Sequence, residues 1–171
     1  IVGLAPGLRG ANRTGRPFTG DYAGELLYAT LIAFGFATGT YKASPDDGLQ
    51  LVDTALTNAV RCLPPDNKPL PAEINTCRRY LVATIQAMAR LKAIVALGRV
   101  AHDSVLPALD QRRAAFRFAH GAVHQIRPGL RLYDSYHCSR YNTNTGRLTE
   151  AMFESVFEQI REVLAALPHD A

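Results

Sequence analysis

A chain of 171 residues has the length of one domain. Its 47% hydrophobic and 20% charged residues exclude a disordered or fibrous protein. No apolar run reaches the ~20 residues of a membrane span, three scattered cysteines make no disulfide framework, and a net charge of +4 leans toward a polyanionic partner.

Ile1 to Leu4 reads as the end of a buried strand without an initiating Met, so more natural chain is expected ahead of it. Ala5 to Asp21 follows as a glycine-rich loop made basic by Arg9, Arg13 and Arg16. It lacks the Gly-Lys-Ser/Thr of a phosphate-binding loop and the glycine spacing of a dinucleotide fold, so a DNA backbone suits it better. Tyr22 to Phe34 has Leu27, Leu31 and Phe34 at helical spacing. Leu51 to Val60 is expected as the second strand, and Pro64 to Pro71 as irregular chain.

Ala72 to Leu91 is the longest helical pattern, with Ile74, Cys77, Leu81, Ile85 and Met88 in one stripe. Lys92 to Leu97 should be a strand and Arg99 to Leu109 a helix. Gln111 to His120 carries Arg112, Arg113 and Arg117, either a solvated basic face or a DNA contact. Ala122 to Ile126 and Leu130 to Tyr133 read as strands around an Arg127-Pro128-Gly129 turn. The last helix stacks Met152, Val156, Ile160, Val163 and Leu164 inward, with Glu154, Glu158 and Glu162 outside. Strands alternating with helices predict a parallel sheet covered on both faces, with ligands beyond the carboxyl ends of the strands.

The loop from Ser135 to Thr149 stands out for its polar density: His137, Arg140, Arg147, two Asn, two Ser and three Thr. Function concentrates on such loops when rigid elements hold them. Thr149 before Glu150 fits a helix cap whose free N–H groups would face an anion. Composition alone favours a hydrogen-bonded surface turn over a catalytic loop.

Ser135-Tyr136-His137-Cys138-Ser139-Arg140-Tyr141-Asn142-Thr143-Asn144-Thr145-Gly146-Arg147-Leu148-Thr149 resembles the second motif of the uracil-DNA glycosylase superfamily, in the form of its fifth family (the UDGb type). Cys138 departs from the usual proline of that motif. Gly3-Leu4-Ala5-Pro6-Gly7 through Asp21 resembles the family's first motif. Thr57-Asn58-Ala59-Val60-Arg61-Cys62-Leu63-Pro64-Pro65, followed by Glu73 and Cys77, makes a third match in the right order.

The resemblance implies a single catalytic domain over residues 1–171, a three-layer α/β/α sandwich around a four-stranded, mainly parallel sheet. It also implies a monomeric, cytoplasmic DNA-repair enzyme that flips out uracil or other deaminated bases and hydrolyses the N-glycosidic bond. His137 would donate to the departing base and Asp21 would orient water or stabilise the sugar cation. The bland alternative for Asp21 is a helix cap. Phe18 would stack on the base and Asn58 read its edge, with Ala5, Gly7 and Asn142 as further substrate contacts. Arg13, Ser139, Arg140, Tyr141 and Arg147 would touch DNA. Gly7 has no side chain where family-one enzymes carry a tyrosine, which would leave room for bases other than uracil.

Cys62 and Cys77 match ligands of a 4Fe-4S cluster, which needs four thiolates; the other two would precede Ile1. An inactive DNA-binding module or cluster-based sensor of the same fold is the competing reading. A zinc deaminase lacks support, since its His-x-Glu and Cys-x-x-Cys signatures are missing.

Overall fold

The computed structural model describes residues 1–166. Its central sheet has five strands in the order β4 (Thr57–Asn58), β1 (Val2–Gly3), β5 (Ala93–Leu97), β7 (Leu130–Ser135) and β6 (Val123–Arg127). The first four are mutually parallel and β6 runs antiparallel to β7. The expected sheet had four strands; the hairpin through Arg127-Pro128-Gly129 adds the fifth at one edge. No helix among the described residues is long and apolar enough to cross a membrane.

Helices cover both faces because the strand side chains alternate. Val95, Leu97 and Tyr133 point into a core shared with α2 (Tyr22–Ala33) and α6 (Glu150–Ala165), where Leu27, Tyr28, Leu31, Phe153 and Phe157 are buried. Val2, Ile94, Ala96 and Leu132 point the other way, against α3 (Pro71–Gln86) and α4 (Arg99–Ala108) through Leu81, Val105 and Leu106. Each such fully buried aliphatic or Phe side chain contributes about 1.5–3 kcal/mol. The α6 stripe is wider than its aliphatic spacing suggests, since Phe153 and Phe157 form its most buried part.

Two expected elements differ. The segment read as one strand from Leu51 to Val60 is split. Ala37–Thr38 (β2) and Gln50–Leu51 (β3) form a separate antiparallel ribbon, and Asp53, at φ 47°, turns the chain before β4 begins. Helix α3 ends at Gln86, five residues early, because the chain closes into a turn with Leu91 N–H bonded to the Met88 carbonyl at 3.0 Å. Two short helices, α1 (Ala11–Thr14) and α5 (Arg140–Asn144), lie inside segments read as loops.

Arg16 turns out to be structural. Its guanidinium forks onto both carboxylate oxygens of Asp47 at 2.8 Å each, and its Nε donates to Thr19 Oγ1 at 2.6 Å. The same group lies over the rings of Tyr28 and Tyr41. Asp47, with a fully buried side chain, also accepts from the Lys42 and Leu49 amides at 2.9 and 3.1 Å. The Arg16 hydrogen bonds outweigh the opposing effect of burial, and with the two amides hold the Asp47 carboxyl well below the usual carboxylate range. A depressed carboxyl adds stability that is present at neutral pH and lost as pH falls through its folded value. Asp47→Asn is therefore expected to cost about 3 kcal/mol at pH 7. In urea denaturation the gap from the unmodified chain should narrow as pH drops below the ordinary carboxylate range.

Candidate active site

The exits of β1, β4 and β7 bring three segments to the carboxyl edge of the sheet. Val2 pairs with Thr57 and Gly3 with Asn58, so the first and third motifs leave side by side. A Cβ on Gly3 would lie 2.5 Å from both Asn58 Oδ1 and Phe18 Cζ. Only a glycine lets both side chains rest on the bare strand. Phe18 is buried with φ 56°, a left-handed backbone that aims its ring back at β1. Its ring centroid is 6.2 Å from that of His137.

Asn58 Oδ1 is buried and has no hydrogen-bond partner among the described residues. An unpaired buried acceptor costs about 1–3 kcal/mol. Nothing in the fold's own packing repays that cost, so this atom points to a ligand carrying a donor.

Asp21 divides its carboxylate between two tasks. Oδ1 caps α2 by accepting from Gly24 N–H at 3.2 Å. Oδ2 faces the first-motif loop, where a Cβ at Gly10 would collide with it and one at Gly7 would lie 3.1 Å away. Helix cap and site residue are thus the same side chain. A side chain at Gly7 would therefore crowd the Asp21 carboxylate.

His137 follows β7 and is held by its backbone. Asn142 Nδ2 donates to the His137 carbonyl at 2.8 Å, and Ser139 Oγ caps α5 by accepting from Asn142 N–H at 3.4 Å. Both side chains serve to shape this loop. Burial pushes the His137 imidazolium below its ordinary pKa, while the charge of Asp21 pulls against that shift. The neutral ring therefore prevails at neutral pH. Cys138 is fully buried and its thiol donates to the Ala23 carbonyl at 3.5 Å. Burial pushes that thiol up to about 12, so it is a packing group between the loop and α2.

Around the opening lie several exposed groups. Tyr141 is 72% exposed, Arg140 covers the Tyr22 ring at 5.0 Å, and Arg147 covers Tyr136 at 4.7 Å. Arg13 Nε donates to the Arg9 carbonyl at 3.3 Å. Ala5 is half-buried on the loop between Leu4 and Pro6. Leu8, 64% exposed on the same loop, was not singled out from sequence; a lone aliphatic among glycines was the available signal.

Cys62 and Cys77 line one hollow of about 270 Å³ together with Val60, Pro64, Ala72, Glu73 and Thr76. Cys62 is exposed and Cys77 buried. Cys138 lies elsewhere, among the core residues that pack against α2 and α6.

The Asp21–His137 coupling has a measurable sign. In an NMR titration the His137 ring should titrate below 6.5. Asp21→Asn should lower that midpoint further, because it removes the one charge that favours the imidazolium.

The chain matches the uracil DNA glycosylase superfamily over residues 1–161. It is 43% identical over 163 residues to the type-5 uracil-DNA glycosylase of Thermus thermophilus, covering 95% of this chain and 74% of the relative. Its identity to the type-5 uracil-DNA glycosylase of Mycobacterium leprae is 44% over 166 residues, covering 95% and 72%. To the type-4 uracil-DNA glycosylase of Archaeoglobus fulgidus it is 33% identical over 127 residues, covering 74% and 56%. Every segment that converges on Gly3, Asp21 and His137 lies within the matched span, and the chain belongs to the uracil DNA glycosylase superfamily.

Proposed function

We propose that residues 1–171 form one monomeric glycosylase domain that removes uracil from DNA by hydrolysis, the opening step of base-excision repair in the cytoplasm. The orphaned Asn58 Oδ1 carries this reading. Uracil presents an N3–H donor beside its O4 acceptor, which an amide can meet with Oδ1 and Nδ2. Cytosine has an unprotonated N3 and would leave Oδ1 facing a lone pair. A site whose buried polar group is left unpaired rejects the wrong base strongly.

The base must leave the helix stack to reach this pocket. Phe18 offers it a flat apolar surface. As the N-glycosidic bond breaks, the electron pair departs with the base and negative charge gathers on its O2. Neutral His137 donates a hydrogen bond to that oxygen, and a donor aimed at developing charge is often worth several kcal/mol. Asp21 Oδ2 holds the attacking water and faces the cationic sugar; water adds at C1′ and its proton passes to the carboxylate. Arg13, Ser139, Arg140, Tyr141 and Arg147 bear on the DNA backbone and the gap left by the base, while Ala5, Gly7 and Asn142 shape the pocket wall.

Hypoxanthine carries the same pairing edge, an N1–H beside a carbonyl, so Asn58 should accept it as well. 5-Hydroxymethyluracil keeps the uracil edge intact. Both are expected substrates beside uracil, and strict uracil specificity on oligonucleotides containing each base would contradict this range.

Cys62 and Cys77 would hold an iron–sulfur cluster with two thiolates from outside residues 1–171. Such a cluster would fasten the proline-rich segment onto α3. The full-length protein should be brown and bind iron; Cys77→Ser should lose it.

Asp21→Asn is a clean probe because asparagine caps a helix as well as aspartate does. Asp21→Asn and His137→Ala should each slow single-turnover uracil release by ~10²-fold or more while DNA affinity changes little. A matching loss of affinity in both variants would remove the assigned roles.

A further inference from the structure

Three side chains meet beneath the loop that carries His137. His102 on α4 and Asp134 on β7 are 1% and 0% exposed. Nδ1 of His102 lies 2.8 Å from Asp134 Oδ1, and its Nε2 lies 3.1 Å from the Phe116 carbonyl oxygen. Nε2 of His124 on β6 lies 2.9 Å from Asp134 Oδ2.

Both nitrogens of His102 thus face acceptors, whereas a neutral imidazole has one proton to give. One proton leaves one of these two contacts lone pair against lone pair, and a second proton on the ring, or a metal ion in place of one proton, relieves it. The spacing decides between them. Two tetrahedral metal bonds of about 2.0–2.2 Å would hold the ligand atoms roughly 3.3 Å apart. The observed 2.8 and 2.9 Å are charge-assisted hydrogen-bond lengths. Burial alone pushes the His102 imidazolium down, but Asp134's hydrogen bond and charge, with the Phe116 carbonyl, outweigh it and the net direction is up. The geometry fits a buried imidazolium paired with a carboxylate.

Its location links it to the site. Asp134 precedes His137 by three residues on the same strand exit. The next exit, Gly98 after β5, donates its N–H to the Ser135 carbonyl at 2.8 Å, and a Cβ there would lie 3.7 Å from His137 Cβ. His102 N–H bonds back to the Gly98 carbonyl at 3.1 Å. The segment from Phe116 to Gly121 is stapled at the same point. The Gly121 amide donates to the Asp134 carbonyl at 2.8 Å, and His120 Nδ1 accepts from Tyr136 N–H at 3.1 Å.

We propose that His102 and Asp134 are positioning residues for His137, their ion pair cross-tying the two chain exits against which His137 is held. The inference rests on His137 being the donor to the leaving base. Facing His102 are Asp134 from β7, His124 from β6, the charge of Asp103 from α4 itself, and the Phe116 carbonyl from the neighbouring segment.

His102→Gln and Asp134→Asn keep shape while removing the charge. In each, single-turnover uracil release should fall about 10-fold or more, since small misplacements of a catalytic group are costly. DNA affinity should stay within about twofold, so the loss falls on kcat and not on KM. Amide exchange over residues 135–142 should quicken while that of α3 does not. A raised imidazolium keeps its contribution below its folded pKa and loses it as pH rises beyond. The unmodified rate should therefore decline on the alkaline side with a midpoint above 6.5, and His102→Gln should lack that decline.

Unchanged exchange over residues 135–142 in both variants would overturn the proposal, as would an equal loss of DNA affinity. One zinc bound per chain at these three residues, with activity lost on chelation, would replace the proton by a metal. The exchange measurement needs no activity. A chain that releases no uracil yet shows the predicted exchange change would fail the functional reading alone.

Discussion

The candidate site depends on how closely Asn58 and Phe18 press onto the backbone of Gly3. Two side chains, one polar and one aromatic, share the 2.5 Å shell where a Cβ would otherwise stand. Any other residue at that position would push both away from the strand edge. The ring of Phe18 lies 6.2 Å from that of His137, and the buried Asn58 Oδ1 has no hydrogen-bond partner among the described residues. A folded protein that leaves a buried acceptor unsatisfied carries a destabilising term. A ligand that supplied the donor would recover that term, so the same atom can lower stability and raise selectivity.

Three ionisable pairs show how burial and partners sort protonation states in this fold. Asp47 is buried but surrounded by donors, and Arg16 keeps it ionised. His102 is buried between acceptors, and the hydrogen bond and charge of Asp134 raise its pKa against the opposing effect of burial. The ring of His137 is crowded and has no hydrogen-bonding partner among the described residues, and the charge of Asp21 does not offset its desolvation. A neutral imidazole is the better instrument beside a leaving base. It can share its proton as charge develops, without pairing with DNA phosphates beforehand.

Much of this was legible from residue patterns. Helices α2, α4 and α6 and strands β5 and β7 have strong periodicity and clear end signals, and each lies within a residue or two of its expected place. The segment from Leu51 to Val60 misled because its apolar content is high while Asp53 adopts a left-handed turn that few residue patterns reveal. Arg16 looked like its neighbours Arg9 and Arg13 until the fold supplied Asp47, thirty-one residues away. The His102–Asp134 pair spans thirty-two residues and two elements. A histidine on an apolar helix face gives no hint of whether its partner is water, carbonyl or carboxylate. Asp21 was read as either cap or site residue, and its two oxygens allow both.

The cysteine hollow and the Asn58 amide are joined by a short length of chain. Val60 lines the hollow and donates its N–H to the Leu4 carbonyl at 2.9 Å, two residues after Asn58 and two before Cys62. Arg61 then lies over the Tyr80 ring of α3 at 4.9 Å and reaches Thr84 Oγ1 at 3.3 Å. The exit of β4 is thus fastened on one side to β1 and on the other to α3. Strand β4 has only two residues in the sheet, so its ladder alone offers little resistance to slipping or fraying. A group that joined Cys62 to Cys77 would therefore also hold Asn58 against Gly3. A group bound in that hollow would act on base recognition through the placement of a strand end, with no need to approach the reacting atoms.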